Sequence, residues 1–86
     1  QKQMPDLAVT VYTVERDSPL DAVSLLDAEL RQKAGVTVVA VTRGDELFAH
    51  PGGDFRFAAE DLVYLFSSPA EAAAAAPLFA GVGKEE

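Results

Sequence analysis

Few side chains in this chain are equipped for chemistry. There is no cysteine and a single histidine, His50. Nucleophilic catalysis needs a nucleophile, a base and an orienting group within hydrogen-bond reach. Ser18, Ser24, Ser67 and Ser68 stand in capping or helical contexts, where a backbone role is the better account. Three carboxylate pairs occur, Asp45-Glu46, Glu60-Asp61 and Asp17 with Asp21. Acid–base work requires carboxylates whose surroundings drive their pKa values apart. All three pairs fall in expected turns, so they read as solvated turn acids. Pro51-Gly52-Gly53-Asp54 has neither the spacing nor the following helix of a phosphate loop. Arg43 and His50 remain. At the rim of a shared cleft, Arg43 could fork onto a phosphate and His50 could stack or donate. On residues alone the plainer account is stronger, with Arg43 closing a strand end and His50 exposed beside a turn.

The stretch that positions both runs from Gly35 to Pro51. Val36, Val38, Val39, Ala40 and Val41 leave almost no polar position, the mark of a strand buried on both faces. Arg43-Gly44-Asp45-Glu46 is a tight turn with Gly44 free to take positive φ. Leu47-Phe48-Ala49 returns as a second strand, completing a hairpin. Strict alternation puts Val39, Val41 and Arg43 on one face and Val38, Ala40 and Thr42 on the other.

Before this hairpin, Leu7 to Glu15 alternates as a half-buried strand, with Leu7, Val9 and Val11 on one side and Thr10 and Tyr12 on the other. Ser18-Pro19-Leu20-Asp21 looks like a helix start, and Leu25, Leu26 and Leu30 with Ala22 and Ala28 form a helical stripe that Gly35 stops. After the hairpin, Phe55-Arg56-Phe57 is a short extended piece, and Leu62 to Phe66 is a second strand buried on both faces. Ser68-Pro69-Ala70-Glu71 matches a capping box, and Pro77 should end or kink the helix it opens. The class is α+β: a small mixed sheet with two helices in the order β-α-β-β-β-α.

At 86 residues one domain is expected, over about residues 7–80, with 1–6 a linker and 81–86 a tail. A core of this size without disulfide or thiolate metal site often finds further burial in an oligomer. The formal charge of −7 disfavours nucleic acid and anionic membrane surfaces, and no apolar run approaches a membrane span.

The order of these motifs resembles the C-terminal domain of the regulator-of-potassium-conductance family, RCK_C, also called TrkA-C. The residues that carry it are Ser18-Pro19-Leu20, Leu30-Arg31-Gln32-Lys33-Ala34-Gly35, the strand from Val36 to Arg43, His50-Pro51-Gly52-Gly53-Asp54, Asp61-Leu62-Val63-Tyr64-Leu65 and the helix from Pro69. The family often has glycine where this chain has Ala22 and Glu60, and commonly has one near Ser67-Ser68. The resemblance implies a non-enzymatic, cytoplasmic regulatory module, peripheral or tethered to a potassium channel, potassium transporter or cation/proton antiporter. It implies a homodimer and no cofactor. Some members bind cyclic di-AMP in the cleft between protomers, and the ligand positions carried over are Val41, Thr42, Arg43, His50 and Pro51. The alternative within the resemblance is an assembly module that dimerises without a small-molecule ligand.

Overall fold

The computed structural model describes residues 6–81. Most of the expected linker, residues 1–5, and most of the expected tail, residues 82–86, lie outside the described residues. Four strands are present: β1 (Ala8–Thr13), β2 (Thr37–Arg43), β3 (Glu46–Ala49) and β4 (Leu62–Ser67). Helices α1 (Leu25–Ala28) and α2 (Leu30–Ala34) lie between β1 and β2, and α3 (Pro69–Phe79) follows β4. The strands pair in the order β1-β4-β2-β3. The α+β class holds, but every pairing is antiparallel, so the sheet is not mixed.

The hairpin forms as its residues dictate. Arg43 pairs with Glu46 across a turn in which Gly44 takes φ 61. Strict alternation in β2 fails at one point. A bulge between Val38 and Ala40 places Val38 opposite Leu65 on the buried side, together with Val41, while Ala40 and Thr42 point to the open side.

One face of the sheet is covered and the other is open. Val41, Val63 and Leu65, all fully buried, point to the covered side, where Phe57, Ala75 and Phe79 close over them. In β1 it is the apolar members of the alternation that stay exposed: Val9 at 55% and Val11 at 45%. Tyr12 turns inward instead, because its ring meets Phe79 at 5.1 Å and its hydroxyl donates to the Ala72 carbonyl at 2.8 Å. β4 is likewise not buried on both faces, since Leu62 and Phe66 are exposed.

The single helix expected from Ser18 is replaced by turns and two short helices. Asp17, Ala22 and Glu29 all have left-handed backbones, at φ 66, 69 and 50, which a continuous helix cannot contain. The cause lies far along the chain. Ala22 N–H donates to the Phe57 carbonyl, Leu25 N–H to Phe55 and Leu26 N–H to Gly53, so donors that would serve a helix serve the 53–57 segment. Ser24, not Ser18, caps α1, accepting from Asp27 N–H at 3.1 Å. Gly35 ends α2 at φ 79 as expected. A Cβ there would come within 3.0 Å of Glu71 Oε2, on the side chain that completes the α3 capping box. α3 runs two residues past Pro77 to Phe79.

Ala22 and Glu60, with φ of 69 and 79, hold the left-handed conformation at the positions where the resembled family often has glycine. A side chain there costs about 1–2 kcal/mol, partly offset by the greater unfolded-state freedom of glycine, about 0.5–1 kcal/mol. Ala22→Gly and Glu60→Gly are each expected to stabilise the domain by about 0.5–1 kcal/mol, raising the melting temperature by several degrees. Thermal denaturation followed by circular dichroism checks this, and unchanged or lower melting in both variants would contradict it.

Candidate functional site

Arg43 ends β2 on the covered side of the sheet. Its Nε donates to Asp61 Oδ1 at 2.8 Å and its Nη2 to Asp61 Oδ2 at 2.8 Å, a two-pronged ion pair. Nη2 also donates to the Arg56 carbonyl at 3.0 Å. The guanidinium lies 5.2 Å from the ring centres of both Phe48 and Phe55. The Asp61 side chain is fully buried, and it also accepts from Ala58 N–H at 2.9 Å. Hydrogen bonding to Asp61 raises the Arg43 pKa above its ordinary value, so the pair keeps its cation throughout the working pH range. Asp61 is therefore not a solvated turn acid. It is held at the start of β4, where the left-handed Glu60 turns the chain inward and Val14 N–H donates to the Asp61 carbonyl at 2.8 Å.

The five positions named from the resemblance do not form one constellation in a single chain. Val41 is fully buried on the covered face, whereas Thr42 points to the open one. Arg43 is committed to Asp61. His50 is exposed at the other end of the hairpin, its N–H donating to the Val39 carbonyl at 3.0 Å. Four residues of strand, about 13 Å, separate Arg43 from the level of His50.

The turn that carries His50 and Pro51 leads to Gly53, and Gly53 lines a cavity of about 280 Å³. Its apolar wall comes from Leu25, Leu30, Val36 and Val38, and its polar rim from Glu29, Arg31 and Thr37. Leu26 stands at the cavity wall 72% exposed, a large apolar side chain with little cover from its own chain. The split of α1 from α2 shapes this hollow. The left-handed turn at Glu29 lets the two helices change direction, and Gly35 with the β2 bulge sets the opposite wall. Arg31 and Thr37 were not among the expected site residues. Arg31 belongs to the Leu-Arg-x-x-x-Gly motif, where its charge had an adequate explanation as a complement to the helix C-terminus. Among the described residues no group of acids and histidine is arranged to hold a metal ion, and no helix is long and apolar enough to cross a membrane.

The chain matches the TrkA-C domain family over residues 9–80, and it belongs to that family. Over 63 residues it is 32% identical to "Probable potassium channel protein 2" of Methanocaldococcus jannaschii, aligning 73% of this chain with 18% of that protein's length. Among solved structures it is similar to the RCK_C domain dimer of S. agalactiae BusR in complex with c-di-AMP, with TM-score 0.78, 20% identity and 85% and 90% of the two chains covered. It is also similar to the RCK C domain of the potassium transport protein KtrA in complex with c-di-AMP, with TM-score 0.70, 15% identity and 79% and 78% covered. At such identities the structural likeness shows the fold. BusR has also been solved with its busAB-promoter DNA, this chain covering 38% of that one at 23% identity. The charge argument against nucleic acid therefore concerns this domain and does not extend to longer proteins that contain one.

Proposed function

We propose that this domain is a ligand-sensing regulatory module of a potassium channel, potassium transporter or cation/proton antiporter, acting in the cytoplasm as a homodimer, with cyclic di-AMP as its ligand. The observation that carries the reading is the cavity between α1, α2 and β2, apolar inside and bearing Arg31 at its rim. Its 280 Å³ falls at the low end of ligand pockets, roughly 300–1,000 Å³. One protomer therefore has room for one base rather than a whole cyclic dinucleotide. Two protomers related by a two-fold axis offer two such hollows to a two-fold ligand. Exposed Leu26 suits the contact between them. Arg31 and Thr37 meet a phosphate or sugar edge, with His50 and Pro51 on the adjoining turn. Arg43 and Val41 support β2 from the covered side, and Thr42 lies on the open side. Differential affinity for an open and a closed cleft would then bias a gate.

Calorimetric titration of the folded domain with cyclic di-AMP tests this. Saturable binding at one ligand per two chains is expected. Arg31→Ala should weaken it about 10- to 100-fold, the worth of a charged hydrogen bond at about 1.5–3 kcal/mol. No heat from folded protein would remove the ligand from the proposal. A second reading, an assembly module without ligand, draws support from Glu29, an acid on the same rim, and from the net charge of −7. Under that reading the oligomer forms without nucleotide and Arg31→Ala changes nothing.

A further inference from the structure

The polar rim of the hollow carries both signs of charge. Glu29 and Arg31 line it together, at the junction of α1 and α2. Side chains two residues apart do not face each other, and among the described residues no ion pair joins these two. Arg31 offers a cation at one point of the mouth and Glu29 a carboxylate at another. An anionic ligand needs only the first. The carboxylate needs a hydrogen-bond donor.

The fold does not account for the Glu29 side chain. The residue stands at the N-cap of α2 with φ 50, a backbone that glycine or asparagine takes more readily. Its backbone is used: the N–H donates to the Leu26 carbonyl at 3.3 Å, and the carbonyl accepts from Lys33 N–H at 2.9 Å. Its side chain is not. It makes no cap hydrogen bond, and among the described residues it enters no ion pair.

The depth of the hollow orders a nucleotide within it. Leu25, Leu30, Val36 and Val38 form an apolar wall that suits the faces of a base, and about 280 Å³ holds little more. A nucleotide seated base-first leaves its sugar at the mouth and its phosphate just outside. Arg31 meets the phosphate. The group left for Glu29 is the ribose, whose 2′-hydroxyl stays free in a 3′,5′-linked cyclic dinucleotide. Carboxylates serve ribose hydroxyls in this way at dinucleotide sites. We infer that Glu29 is a specificity-determining residue, its carboxylate accepting a hydrogen bond from the 2′-hydroxyl so that a ribonucleotide is favoured over its deoxyribose counterpart. The inference rests on the cyclic di-AMP reading and adds a requirement to it. It also gives the rim acid a use, where charge alone counts it against an anionic ligand.

Calorimetric titration of wild type, Glu29→Asn and Glu29→Gln with cyclic di-AMP and with its 2′-deoxyribose analogue tests this. Asparagine suits the left-handed backbone while being shorter and uncharged, so the fold should persist, which a melting curve checks. Wild type should bind the ribose ligand about 10- to 100-fold more tightly than the deoxyribose one, the worth of a charged hydrogen bond. Glu29→Asn should bring the two affinities together. Glu29→Gln, which keeps an acceptor without the charge, should leave an intermediate ratio. A wild type that binds both ligands alike overturns the inference and leaves the cyclic di-AMP reading standing. So does a folded Glu29→Asn that weakens both ligands equally, which puts the carboxylate on the base, or one that tightens both, which makes it a repellent of the phosphates. No heat from either ligand with folded wild type removes the reading and the inference together.

Discussion

Arg43→Ala is expected to cost about 3–5 kcal/mol, the penalty for stripping a buried charge of its partner. For a domain whose total stability lies in the range of about 5–15 kcal/mol, that is about a fifth or more. The two partners are not equivalent. Asp61 is fully buried, and without Arg43 it keeps only the Ala58 N–H as a side-chain hydrogen-bond donor among the described residues. Arg43 has a side chain 40% exposed and can turn to water when Asp61 is removed. Asp61→Ala should therefore cost less, about 2–3 kcal/mol, mostly from the lost anchor of the Ala58 turn. Arg43→Lys keeps the charge but not the fork, and should fall between wild type and Arg43→Ala. Urea denaturation followed by circular dichroism orders these variants. Equal losses for Arg43→Ala and Asp61→Ala would contradict the asymmetry.

This expectation changes how a functional test at Arg43 is read. Its guanidinium ties the end of β2 to the start of β4, lies beside Phe48 and Phe55, and donates to the Arg56 carbonyl. Loss of nucleotide binding in Arg43→Ala would follow from loosening the sheet even if no ligand atom approached the residue. The double variant Arg43→Met/Asp61→Leu separates the cases. It removes both charges together and should recover most of the stability. If binding returns with the fold, Arg43 acts by support. If the refolded double variant stays unable to bind, the arginine meets the ligand itself.

The hairpin was legible because its information is local: a β-branched run, a glycine at a turn requiring positive φ, and a returning apolar triplet. The α3 capping box was legible for the same reason. The first helix was not, because its breaks are set by carbonyls of Gly53, Phe55 and Phe57, about thirty residues away. Alternation in β1 gave the period but not the side, and the unbroken apolar run of β4 suggested two buried faces where one stays open. Which face is covered depends on where α3 crosses, and Tyr12 earns its inward place through a bond to Ala72 that no pattern of hydrophobicity displays. Asp61 was hidden by its neighbour, since an acid pair beside a turn reads as solvated until the left-handed Glu60 is seen to turn one member inward. The cavity escaped because it forms where a helix breaks. The order of the motifs nonetheless points to the TrkA-C family without any of this geometry.

Phe57→Ala should be as damaging as loss of Arg43, by about 3–5 kcal/mol for a buried aromatic truncated in place. At roughly 4–8 °C per kcal/mol in a domain of this size, melting should fall by at least ten degrees. Phe57 is 1% exposed and meets Phe55 edge-on at 5.7 Å, which in turn packs on Phe48 at 5.0 Å. Its backbone is fixed from both sides, accepting from Ala22 N–H and donating to the Val23 carbonyl, each at 3.0 Å. With the chain held there, the surroundings cannot collapse fully into the space the ring leaves, and the cavity remains. Phe57→Leu should cost markedly less because it refills part of that volume. The same segment supports the ligand hollow, since Leu25 and Leu26 hang their backbone N–H groups on Phe55 and Gly53. In Phe57→Leu, hydrogen exchange should quicken first at those two amides while Val63 and Leu65 in the sheet stay protected. Uniform loss of protection would mean that the 53–57 segment opens only with the whole domain, and that the hollow is as rigid as the core beneath it.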